Sequence, residues 1–139
     1  MEDKIKGQFI TKIKDNGIKY KVYVPENVNA DTPIFTYAYG TGDPGIEKMV
    51  LENGSDSVFI MTIVDWKADL GTITMNIVNE VKEEYGITST TVTPSGFSLG
   101  GFAGYNTAAE NIRQNPDCEP QTVFLVDSYG TLFYNPNQY

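Results

Sequence analysis

Ser98 is the residue in this chain best placed to act as a nucleophile. It lies in Gly96-Phe97-Ser98-Leu99-Gly100-Gly101, with glycines two positions before and two positions after it. A serine attacks an acyl carbon only if its hydroxyl stands clear of the backbone and its proton is removed. A sharp strand-to-helix turn meets the first condition, because its strained backbone projects the hydroxyl beyond the sheet. Side chains two before and two after would collide in so tight a turn, and glycine has no Cβ to collide. Gly101 adds room for the next helix to approach the strand. The amino end of that helix points N–H groups at the site, and the N–H of Leu99 could hold an oxyanion. The chemistry would be acyl transfer through a serine-bound intermediate.

The second condition is not met within the chain. Its 139 residues contain no histidine, so no imidazole can take the Ser98 proton. The lone cysteine, Cys118, permits no internal disulfide; this fits a reducing compartment. Metal binding has little support without histidine and with one cysteine, and no cofactor is implied. Ten Lys and Arg against eighteen Asp and Glu give a net charge of −8. That balance argues against nucleic acid and anionic membrane as partners. The first residues, Met1-Glu2-Asp3-Lys4-Ile5-Lys6, do not read as a signal peptide, and no stretch is long enough to span a bilayer. A cytoplasmic location is expected.

The elements that would position Ser98 follow from periodicity. Residues 8–14 and 18–24 alternate apolar with polar around Asp15-Asn16-Gly17, which predicts an antiparallel hairpin. Pro25 ends its second strand. Residues 33–39 form a denser strand before Gly40-Thr41-Gly42-Asp43-Pro44-Gly45. A helix opening at Pro44 would bury Ile46, Met49 and Val50 and stop at Asn53-Gly54. Residues 57–64 are nearly all apolar, as in a strand buried on both faces. Asp69 can cap a helix over 70–85 with Ile73, Ile77, Val81 and Tyr85 as one stripe, and Gly86 ends it. A strand over 90–96, a helix from about Leu99 to Arg113 and a buried strand over 122–127 complete the chain. Strand–helix alternation after a hairpin means an α/β fold with a mostly parallel sheet.

That context strengthens the Ser98 motif, which follows a predicted strand and precedes a predicted helix. An incidental serine in a glycine-rich turn is the bland alternative. A nucleotide-binding turn fits less well, because the glycine spacing is broken. The loop at Gly40 and Thr41 could supply a second oxyanion donor or be an ordinary glycine turn. Asp127 could serve as a catalytic acid, although capping the next turn is the commoner use of such a residue. Asp43 and Asp65 read as loop or cap residues. Trp66 and Phe97 could line an acyl pocket or simply pack.

On the hairpin, the glycine loop and above all Gly96-Phe97-Ser98-Leu99-Gly100-Gly101, the chain resembles the amino-terminal part of an α/β-hydrolase of the small serine esterase type. The resemblance implies Ser98 as nucleophile and the Leu99 N–H as oxyanion donor, with a second donor near Gly40 or Thr41. Many relatives carry His-Gly in that loop; here it is Tyr39-Gly40. It implies an acid after strand seven, or in a minority of relatives after strand six where Asp127 falls, and a histidine after strand eight. The expectation is one incomplete, truncated domain over residues 1–139, of about six strands and lacking the last two. Alone it would be nearly inactive on a small-molecule acyl substrate. Its sixth strand would be an apolar edge open to a complementing chain or a second copy. The alternative is a non-catalytic domain of the same fold, used for binding or assembly.

Overall fold

Asp15 and Gly17 reverse the chain between two strands, β1 (Phe9–Ile13) and β2 (Lys19–Tyr23). Gly17 takes φ +85°, and the Lys14 N–H donates to the Ile18 carbonyl at 2.9 Å. The computed structural model describes residues 4–15, 17–39, 45–63, 69–97, 101–118 and 124–126, the side chains of 101, 102 and 124–126 excepted. The hairpin is antiparallel, pairing Phe9 with Tyr23 through to Ile13 with Lys19.

Beyond it run β3 (Ile34–Tyr39), α1 (Ile46–Asn53), β4 (Val58–Ile63), α2 (Leu70–Tyr85), β5 (Val92–Phe97), α3 (Gly101–Gln114) and β6 (Phe124–Val126). The sheet order is β1-β2-β4-β3-β5-β6. β2 meets β4 antiparallel, and every pairing from β4 to β6 is parallel. The expected α/β architecture, with an antiparallel hairpin leading into a mostly parallel sheet, is therefore present.

One face of the sheet carries Val22, Ile34, Val58 and Ile60, packed against Met75, Ile77, Val78 and Val81 of α2. Asp69 caps α2 as predicted: its carboxylate accepts from the Thr72 N–H at 3.2 Å and from the Thr72 hydroxyl at 2.9 Å. Gly86, at φ +69°, closes the helix by donating to Lys82. The buried face of α2 is wider than the predicted stripe. Ile77 and Val81 are buried and Ile73 and Tyr85 only half so, while Gly71, Thr74, Met75 and Val78 are also buried. α3 accounts for part of the difference. A Cβ on Gly71 would stand 2.7 Å from the backbone of Asn106, so the two helices cross at a distance only glycine allows.

α1 corrects one expectation. Val50 is buried and Ile46 half-buried, but Met49 is 50% exposed. In a helix of eight residues lying on a sheet, the Ile46–Val50 stripe faces inward and Met49 falls to its side. Gly54 ends α1 as predicted, its N–H bonding to the Val50 carbonyl at 2.8 Å. β5 starts two residues later and ends one residue later than the expected span of 90–96. Pro94 lies inside it, opposite Thr36 of β3.

Candidate active site

The described part of β5 ends at Phe97 and that of α3 begins at Gly101, with Ser98, Leu99 and Gly100 between them in the sequence. α3 then runs close over the strand it has just left. A Cβ on Gly104 would lie 3.3 Å from the Ser95 carbonyl carbon and 3.4 Å from its oxygen. Ala103, 2% exposed, packs with Ala38 and Leu70. The sequence expects room for close approach at Gly101, whose surroundings lie outside the described residues; the described contact is at Gly104. The signal was there, since both positions carry small residues.

Ser95 was not singled out by the sequence. It is buried in β5, and its hydroxyl donates to the Thr36 carbonyl at 2.7 Å. This side chain fastens β5 to β3 three residues before Ser98. A hydroxyl in an otherwise apolar strand was the available clue.

The parallel strands reach a common edge. Tyr39 stands opposite Ile63 on one side and Phe97 on the other, and Phe97 faces Val126. From that edge depart the connections over residues 40–44, 64–68 and 98–100. In an open parallel sheet, the crevice outside the carboxyl ends of the strands is where sites form. Ser98, Leu99, Gly40, Thr41 and Asp127 all belong to segments leaving this edge, but they lie outside the described residues. So do Asp43, Asp65 and Trp66. Phe97 is described: it is half-buried and packs with Tyr37, Tyr39 and Met61 on the α1 side of the sheet.

The amino end of α1 is held by an ion pair. Lys21 Nζ donates to Glu47 Oε2 at 2.6 Å, joining β2 to the first turn of the helix. The N-cap of α1 is Gly45, at φ +85°, which has no side chain to cap with.

Among the described residues, the one carboxylate with a resolved shift lies away from this edge. Hydrogen bonds from Arg113 and Gln114 hold the Glu110 carboxyl down at about 2, well below its usual 4.5. These three residues are on the last turns of α3 and form a surface helix pair rather than a reacting group. Asn111, one residue on, is fully buried. Its Oδ1 accepts from Asn115 Nδ2 at 2.9 Å, while its Nδ2 has no partner among the described residues. Among the described residues, no group of three or more His, Cys, Asp or Glu is placed to hold a metal ion. No helix among them is long and apolar enough to cross a membrane.

No family profile and no curated protein sequence matches the chain. Solved structures do. Poly(aspartic acid) hydrolase-1 from Sphingomonas sp. KT-1 superposes with a TM-score of 0.59 at 12% identity, over 86% of this chain and 56% of its own. A thermostable carboxylesterase cloned from a metagenomic library gives 0.57 at 18%, over 84% and 45%. Acetyl xylan esterase from Aspergillus awamori gives 0.56 at 19%, over 95% and 56%. The chain has the α/β-hydrolase fold, and it spans about half the length of the structures it matches.

Proposed function

We propose that this chain is the nucleophile-bearing portion of a serine acyl hydrolase of the esterase type. Ser98 attacks the acyl carbon of a small-molecule ester. The Leu99 N–H and an N–H at Gly40 or Thr41 hold the resulting oxyanion, and Phe97 lines the approach. Asp127, which follows β6 directly in the sequence, is the acid assigned to the site. One observation carries this reading: Ser98 stands in the sequence directly after the described end of β5 and three residues before the described start of α3. So short a connection out of a parallel strand needs the tight turn that Gly96 and Gly100 permit.

The base is then supplied by sequence outside these 139 residues, which hold no histidine. Without it, the chain retains only oxyanion and binding contributions, and it is close to inactive on its own. The completing polypeptide, or a second copy, pairs with β6, and the whole acts in the cytoplasm as one domain. The absence of histidine equally favours a second reading, a non-catalytic domain of this fold serving binding or assembly. Hydrolysis of a short-chain aryl ester separates the two. The longest natural form should turn over the ester and lose at least about a thousandfold in kcat on Ser98→Ala. No turnover, or turnover indifferent to Ser98→Ala, would leave only the assembly reading.

A further inference from the structure

We infer that β1 is a self-pairing edge: two copies of this chain join antiparallel through β1, about a two-fold axis at Thr11.

β1 ends the sheet order, and among the described residues it pairs with β2 alone. The ladder between the two strands decides which backbone groups face outward. The Lys14 N–H donates to the Ile18 carbonyl at 2.9 Å, and hydrogen-bonded pairs in an antiparallel ladder fall at every second residue. Lys12 and Ile10 therefore bond inward to β2, while the N–H and C=O of Phe9, Thr11 and Ile13 are directed away from it. The side chains of these three share the α1 side of the sheet, because they are two residues apart. Phe9 is half-buried beside Tyr23, with ring centroids 5.4 Å apart. Thr11 is exposed, and Ile13 is 62% exposed. Free lysines on an edge would keep a second strand away. Here both edge lysines are drawn back to α2, Lys12 to Glu84 at 3.9 Å and Lys14 to Glu80.

The occupant is a second copy because the edge is complementary to itself. With the two-fold at Thr11, Phe9 of each copy faces Ile13 of the other, and Thr11 faces Thr11. Aromatic–β-branched and Thr–Thr pairs are favourable cross-strand neighbours. On the other face Ile10 meets the aliphatic stem of Lys12, and Gln8 meets Lys14. No like charges stand directly opposite. The neighbouring registers lack this fit. Moving the two-fold to Lys12 sets lysine against lysine, which is repulsive. Moving it to Ile10 sets Ile13 against Gly7, which has no side chain to offer. The contact is isologous and joins two six-stranded sheets into one. β6 lies at the other end of the sheet order, so the pairing leaves it to a completing polypeptide and does not depend on the role of Ser98.

The test is cross-linking at single cysteines in the 139-residue chain, with Cys118→Ser as background and a short bis-methanethiosulfonate reagent. Thr11→Cys should give a linked dimer, since residues facing each other in such a pair stand about 5.5 Å apart. Ile13→Cys alone should give at least about tenfold less, because its two copies stand about 14 Å apart along the strands. A mixture of Phe9→Cys and Ile13→Cys should give the mixed dimer. In light scattering at high concentration, the wild-type mass should approach that of two chains. Thr11→Pro, which removes an outward N–H that β2 does not use, should return it to one chain. Ile13→Lys, at an exposed position where the fold is indifferent to the change, should do the same. An unlinked Thr11→Cys would overturn the inference, as would Ile13→Cys linking just as readily. So would a dimer that survives Ile13→Lys, which would move the contact to another edge.

Discussion

At the scale of single residues, the proposed function separates presenting a nucleophile from activating one. In that reading the residues around Ser98 serve presentation, while the 139 residues hold no imidazole for deprotonation. Two other side chains make claims that can be measured. The Nδ2 of Asn111 is buried without a partner among the described residues, and a buried unsatisfied donor costs about 1–3 kcal/mol. Asn111→Leu should therefore leave the chain as stable as the wild type or more so in urea unfolding, where most buried substitutions are destabilising. A loss above about 2 kcal/mol would mean that the amide is satisfied after all. Glu110 offers a pH signature. Its folded pKa of about 2 lies below the ordinary 4.5, so its stabilisation is present above pH 4.5 and is lost as pH falls toward 2. The stability difference between wild type and Glu110→Gln should fade across that window. It should also be small and shrink with salt, because the Arg113 partner faces water.

At the scale of elements, helix ends and strand periods were legible. Asp69 and Gly86 bracket α2 where their chemistry placed them, and Gly54 ends α1, because caps are local and need no knowledge of the fold. Replacing Asp69 by alanine should cost about 1 kcal/mol of stability, read as a lower urea midpoint. What the sequence could not yield depends on contacts between elements. The exposure of Met49 and the second buried stripe of α2 both follow from how helices lie on a sheet. The strand order, with β4 between β2 and β3, is likewise a property of the assembled sheet. Gly71 tests that level. A methyl group there would meet Asn106 backbone at 2.7 Å, so Gly71→Ala should destabilise by about 2 kcal/mol despite alanine's better helix propensity. A stabilised variant would show that α2 and α3 do not cross so closely.

At the scale of the whole molecule, the question is whether a half-length α/β-hydrolase fold can work. The proposed function carries one expectation at this scale: catalysis belongs to a larger assembly, and the 139 residues alone are nearly silent. Among the described residues β6 is last in the sheet order; if that edge is open, as proposed, sedimentation velocity should show self-association of the isolated chain as its concentration rises. A strictly monomeric species at high concentration would argue against that edge as an interface. The site itself was legible only as a pattern, because a glycine–serine spacing gains meaning from the strand before it and the helix after it, and both are present. The most direct measurement of the central claim is labelling by a fluorophosphonate probe, located by peptide mass spectrometry, on the longest natural form and on the 139-residue chain side by side. The account predicts stoichiometric label on Ser98 in the longest form, little label on the isolated chain, and none after Ser98→Ala. A longest form that takes no label at Ser98, or takes it at another residue, would contradict it.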